Sequence, residues 1–277
     1  MRVDRVVEDV FVLVTALYCE LPATVLLTSE GAIVVDALPF PSETRELIAF
    51  VDGEIGPNRV RYVINTHHHA DHVYGTFLFP GAEVISHDLC RELLMRVGRA
   101  QLARAREDTP ALAEVEIRLP DITFGTEMHM QMGYRHVRLF HTPGHSPDGI
   151  SLYVDGDKIL IAGDAMMPVP VISRGDIAQL KETLRTFLEI VPSFVIQGHG
   201  NVLLKGEART EMESSLAYLD IIVDKVRRVV ERDDPPSALR EIDIESCGKS
   251  RVPLDGLVSR LHLDNLLSLY REFSANR

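Results

Sequence analysis

Cysteine is scarce in this chain: three in 277 residues, at Cys19, Cys90 and Cys247. They are far apart, odd in number and never arranged as C-x-x-C, which argues against a disulfide framework or a thiolate zinc site. Each is expected to be a small buried hydrophobe. Long apolar runs are missing too. No window approaches the ~20 residues that span a bilayer. The opening MRVDRVVEDVFVLV interrupts its apolar run with charges, unlike a signal peptide. The expectation is a cytoplasmic chain with no membrane partner. Basic residues are outnumbered, 29 Lys and Arg against 41 Asp and Glu, for a net charge of −12. That balance disfavours a nucleic-acid partner, and bound divalent cations would offset part of it. There is no internal repeat, no low-complexity tract and no G-x-S-x-G nucleophile turn.

What remains is an ordinary globular composition, 45% hydrophobic and 25% charged, in a chain long enough for a sizeable core. The β-branched runs VFVLVTALY and TVLLTSEGAIVVD read as strands, the second a hairpin turning at Ser-Glu-Gly. PSETRELIAFVDGEI reads as a helix capped by Ser42 and ended by Gly53 or Gly56. RVRYVI and AEVISH read as strands, and HDLCRELLMRVGRAQLARARE as a helix. Residues 107–125 break the pattern, as lids and binding loops do. EMHMQM, YRHVRLF, GISLYVDG and DKILIAGD give four further strands, then a helix over GDIAQLKETLRTFLEI and a strand in PSFVIQGHG. From Glu207 the chain reads as helical, with a break at Asp234-Pro235-Pro236.

The chemistry concentrates in NTHHHADHVYG, residues 65–75, directly after RVRYVI. Four imidazoles and a carboxylate in six positions are costly to desolvate unless something binds them. In a loop leaving a strand, His67 and His69 point the same way and can converge on one ion. Asp71 and His72 lie one turn further on and can face a second. A catalytic zinc takes about three protein ligands, so more are needed. Three strand ends supply them: His145 in HTPGHSPDG, Asp164 in ILIAGD and His199 in FVIQGHG. Two divalent ions so held would carry a hydroxide between them and polarise a carbonyl or phosphoryl oxygen. Asp71 would orient that hydroxide and pass its proton to the leaving group.

This set resembles the metallo-β-lactamase superfamily, whose H-x-H-x-D-H signature matches His67, His69, Asp71 and His72, and whose later His, Asp and His match His145, Asp164 and His199. The resemblance implies an α/β fold, a four-layer αββα sandwich, over residues 1–206, with residues 207–277 as a helical cap packed on it. It implies that His67, His69 and His145 bind one metal, that Asp71, His72 and His199 bind the other, and that Asp164 bridges. Asp36 matches the family's acidic residue behind the ligands. Two Zn2+ are the expected cofactors, with iron or manganese as alternatives.

The resemblance is to the glyoxalase II-like and lactonase-like branch, because a carboxylate stands where many zinc β-lactamases carry Cys or Ser. The expected function is dinuclear hydrolysis of a small ester, lactone or thioester. The alternatives are a mononuclear iron persulfide dioxygenase-like enzyme, and a β-lactamase-like amide hydrolase or nuclease of the same fold. A homodimer is left open, since the C-terminal helices could cap the pocket or pair two chains. Outside this set, His68 is expected to point away and His141 to be structural. His87, His129, His136 and His262 lack convergent partners in the sequence. Met166, Met167, Val169 and Val171 could line an apolar pocket or simply pack beneath a loop. Arg174 could meet an anionic group or lie solvated at the surface.

Overall fold

The computed structural model describes residues 1–275. Among the described residues, thirteen strands form two sheets. The first runs in sequence order through β1 (Arg2–Val7), β2 (Val10–Val14), β3 (Pro22–Thr28), β4 (Gly31–Val35), β5 (Val60–Ile64), β6 (Glu83–His87) and β7 (Ile122–Phe124). The second is ordered β13 (Leu203–Leu204), β12 (Phe194–Gln197), β11 (Ile159–Gly163), β10 (Ile150–Val154), β9 (Arg135–His141) and β8 (Glu127–Met132). The first sheet changes from antiparallel to parallel pairing at β4–β5, and the second has one parallel pair, β11–β12.

Period-two alternation explains the layers. In β4, Ile33 and Val35 face the second sheet, while Ala32 and Val34 face outward toward helix α1 (Pro41–Ile55). In β11, Ile159 and Ile161 face the first sheet, and Leu160 and Ala162 pack against the helices beyond. Those helices are α5 (Ile177–Ile190), α6 (Lys205–Glu231) and α7 (Val258–Ala275), which share one core with the outer face of the second sheet. Strands buried on both faces therefore read as continuous apolar runs. The result is a four-layer α/β/β/α sandwich with C-terminal helices.

Three local readings need correction. Ser42 does not cap α1: Phe40 occupies the cap without a side-chain bond and Pro41 opens the helix, because proline has no N–H to leave unsatisfied there. Gly56 ends it, its N–H bonded to the Asp52 carbonyl. Strand β1 has no fully buried residue to announce it, and the first sheet takes it up by pairing with β2 while Val6 and Val7 pack partly on the core between the sheets. Cys19 is half-buried, while Cys90 and Cys247 are buried and all three are free.

The second helical stretch starts at α3 (Asp88–Leu93), passes through a π-helical turn at Leu94–Gly98 and continues as α4 (Arg99–Asp108). Residues 107–125 pack against it rather than over the strand ends: Leu112 and Val115 are buried with Val73, Tyr74, Leu94 and Leu102. Among the described residues, no helix is long and apolar enough to cross a membrane.

Candidate metal centre

Each sequence-predicted site residue stands just past the end of a strand. Asp36 follows β4. His67 and His69 follow β5, with Asp71 and His72 on the short helix α2 (Ala70–Val73). His145 lies after β9, Asp164 directly after β11 and His199 after β12. The two sheets are drawn together at this edge. The Ile150 N–H donates to the Thr66 carbonyl at 2.9 Å. Gly163, at φ 52°, leaves only 3.0 Å between a would-be Cβ and Thr66 Cβ, so a side chain there would hold the sheets apart.

The side chains converge in two groups. His67, His69, His145 and Asp164 offer one ligand atom each, all within 4.8 Å of one another, and so do Asp71, His72 and His199. Asp164 faces both. Its Oδ2 lies 3.3 Å from His145 Nε2 and 3.8 Å from His67 Nε2. Its Oδ1 lies 3.3 Å from His72 Nε2 and 3.8 Å from His199 Nε2. Asp71 Oδ2 closes the second group at 3.3 Å from His199 Nε2.

Hydrogen bonds on the far side of the rings fix which nitrogen points inward. His72 Nδ1 donates to Asp36 Oδ2 at 2.8 Å, His145 Nδ1 to the Val171 carbonyl at 3.1 Å and His199 Nδ1 to the Cys19 carbonyl at 3.0 Å. His67 Nδ1 donates to Thr66 Oγ1 at 3.1 Å, and that hydroxyl in turn donates to Asp36. A neutral imidazole has one N–H. With that N–H engaged outward, the inner nitrogen of a neutral ring offers a lone pair to the centre. His67 Nε2 and His145 Nε2 lie 2.9 and 3.0 Å from His69 Nδ1. His72 Nε2 and Asp164 Oδ1 are buried without a hydrogen-bond partner. Converging lone pairs and orphaned buried acceptors are what a bound cation satisfies, and ligating histidines held from behind are the usual design. The residues therefore fit divalent metal.

Electrostatics separates the two groups. Burial holds His67 well below the ordinary imidazole range and lowers His145, and it brings His69 to about 3. Burial works against charge on His72 and His199 as well, but the surrounding carboxylates, Asp164 foremost, outweigh it and raise both. Burial alone would raise the two carboxyls. The neighbouring imidazoles, His72 first, reverse this, taking Asp71 to about 2 and Asp164 well below the carboxylate range.

Other expectations sort as follows. His68 turns away, its Nδ1 donating to Asp148 Oδ1 at 2.9 Å and its backbone N–H to Oδ2 at 2.7 Å. His141 stacks on His87 at 4.1 Å between ring centroids and bonds the Pro147 carbonyl, a structural role. His262 is a satisfied core residue between Tyr218 and the Ile242 carbonyl. Met166, Met167, Val169 and Val171 are buried in the core with the C-terminal helices, and Arg174 is exposed. His129 and His136 do have convergent partners, contrary to expectation: each other, Glu127 and Asp155.

Several supporting groups gave no usable sequence signal. The Cys19 and Val171 carbonyls are backbone atoms that any residue could supply. Glu43, buried in α1, accepts from the Ala16 N–H at 2.7 Å and from the Thr15 hydroxyl, so it anchors the loop that presents Cys19. Asp148 was legible only as a carboxylate in a Gly- and Pro-rich turn.

The family model of the metallo-beta-lactamase superfamily matches residues 20–219. The chain belongs to that superfamily. It is 28% identical over 141 residues to the beta-lactamase-like protein 2 homolog of Drosophila melanogaster, covering 51% of this chain and 45% of that protein. It is 26% identical over 126 residues to a hydroxyacylglutathione hydrolase of Pelagibacter ubique (strain HTCC1062), covering 46% of this chain and 44% of that one. These matches span less than half the length of each relative. The fold is similar to that of a metallo-beta-lactamase family protein from Thermus thermophilus, with a TM-score of 0.71 at 16% identity over 98% of this chain and 95% of that one.

Proposed function

We propose that the chain is a dinuclear metal-dependent hydrolase acting on a small ester, lactone or thioester. The observation that carries this is the placement of Asp164, whose two oxygens address two separate groups of inward-facing ligand atoms. His67, His69 and His145 would hold one ion, Asp71, His72 and His199 the other, and Asp164 both. Zn2+ suits this oxygen and nitrogen set, and so do iron and manganese. When bound, such ions polarise an acyl oxygen and bring water's pKa toward neutrality.

The protein's own groups do the rest. Asp36, Thr66 and the Cys19 and Val171 carbonyls fix the imidazoles in one tautomer. Asp71 is ionised and only partly covered, so it can accept a proton from the attacking water and return it to the leaving group. The superfamily membership and the relatives named as hydroxyacylglutathione hydrolases support an acyl-transfer reading. A cavity of about 780 Å³ is lined by chain neighbours of the site rather than by its ligands, among them Glu20, Pro168, Gly200, Lys249 and Asp255. Gly200 follows His199, and Glu20 follows the Cys19 that bonds it. This is the proposed route for substrate, with residues 1–206 as the catalytic domain and the C-terminal helical part as its cap. Asp71→Ala and Asp164→Ala should each abolish metal-dependent ester cleavage. Unchanged turnover by either pure variant would refute the reading.

A further inference from the structure

A second pair of imidazoles, on the far hairpin, obeys the logic that marks the first centre. His129 on β8 and His136 on β9 flank a tight turn. In the register of the hairpin His129 lies opposite Arg138 and His136 opposite Gln131, so the two histidines are diagonal neighbours on one face. Their rings stack at 5.2 Å between centroids, with His129 Nδ1 facing His136 Nε2 at 3.2 Å. The opposite nitrogens are both engaged. His129 Nε2 donates to Glu127 Oε1 at 2.6 Å, and His136 Nδ1 donates to Asp155 Oδ2.

The donor count decides what this means. Two neutral imidazoles have two N–H groups, and both go to carboxylates. The facing nitrogens are then two lone pairs at hydrogen-bond distance, which repel unless a cation lies between them. Two nitrogens on one tetrahedral zinc at about 2.05 Å lie about 3.3 Å apart, which the observed spacing matches. A carboxylate behind each ring is the arrangement that orients metal-binding histidine. Charge points the same way. Glu127 and Asp155 contribute two negative charges, and Arg138 Nη1 approaches Glu127 Oε2 only to 3.9 Å.

We propose that His129 and His136 chelate a divalent transition-metal ion of the imidazole-preferring kind, such as Zn2+, at the surface. The side chains are 52% and 38% exposed, so water completes the coordination. β8 is the outer strand of its sheet, and Asp155 lies in the turn between β10 and β11. The ion therefore clamps the sheet edge to that turn, well apart from the ligands of the catalytic reading.

The test is calorimetric titration of Zn2+ into holoenzyme dialysed to constant metal content. One further ion should bind per chain. His129→Ala and His136→Ala, both exposed changes that should leave folding and resident metal intact, should each abolish it. Asp155→Asn should weaken it about tenfold or more. Cu2+ in place of Zn2+ should show an electron paramagnetic resonance signal with two nitrogen couplings, lost in both alanine variants. No further ion in the wild type, or one that persists in both variants, would overturn the proposal. The result does not depend on whether the chain hydrolyses esters.

Discussion

His72 Nδ1 lies 2.8 Å from Asp36 Oδ2, and both side chains are buried. Asp36 also accepts the Thr66 N–H and hydroxyl, each at 2.8 Å, so one carboxylate orients His72 directly and His67 through Thr66. Asp36→Asn keeps the shape but replaces an acceptor oxygen with an NH2 group. Metal affinity should fall about 10- to 100-fold, read by competition with a chromophoric chelator. An unchanged affinity would show that the centre does not need this support.

Asn265 on α7 reaches the same centre from the C-terminal helices. Its Oδ1 accepts the Ile172 N–H at 2.9 Å, and its Nδ2 donates to the Pro170 carbonyl at 2.7 Å. Between those residues lies Val171, whose carbonyl holds His145. Asn265→Ala strands two buried backbone groups and should cost about 1–3 kcal/mol of stability, measured by urea unfolding. It should also weaken metal retention by loosening His145. Lost stability with metal affinity unchanged would confine Asn265 to packing.

Gly198 has no room for a side chain. A Cβ there would collide with Asp164 Oδ1 and sit 2.7 Å from the Asp164 backbone nitrogen. Gly198→Ala should push Asp164 out of place, cost about 1–3 kcal/mol and reduce bound metal in both groups together. Elemental analysis of the folded variant checks this.

The two groups should differ in proton release on metal loading. His67, His69 and His145 are held below the ordinary imidazole range, so at neutral pH they are already unprotonated and release nothing. His72 and His199 are raised, so metal-free protein holds protons there more strongly than an ordinary imidazole does, and an incoming ion competes with them. Calorimetry in buffers of different ionisation enthalpy should find more protons released by the ion entering the Asp71, His72 and His199 group. That release should diminish as pH rises through the raised values. Equal release at both steps would contradict the assignment.

The cavity of the proposed substrate route is lined by Glu20, Glu207, Glu211 and Asp255 against one lysine, Lys249, which already pairs with Glu211 at 3.1 Å. If substrate enters by this cavity, anionic substrates approach unfavourably. Among esters matched in size, kcat/KM should be higher for neutral than for anionic ones, and the gap should narrow as salt screens the field. A preference for the anionic ester would place substrate elsewhere.

How much of this was legible follows from what the residues must do. The β11 run ILIAG is buried on both faces, so its apolar continuity announced a strand, and the carboxylate after it announced a site. The H-x-H-x-D-H spacing and the three strand-end residues that converge with it were readable for the same reason. Strand β1 was not, because none of its residues is fully buried and pairing with β2 holds much of it. Nor were the Cys19 and Val171 carbonyls, which have no side-chain identity. His129 and His136 looked solitary, because a hairpin brings together residues that the sequence keeps seven apart.

The most direct measurement is divalent metal per chain, by elemental analysis, on protein purified without added metal, with ester hydrolysis followed through chelation and reconstitution. To keep the surface pair out of the count, it is made on His129→Ala. Two ions per chain, with activity lost on chelation and restored with metal, is the predicted result. One ion or none at full activity, or hydrolysis indifferent to chelation, would contradict the dinuclear account.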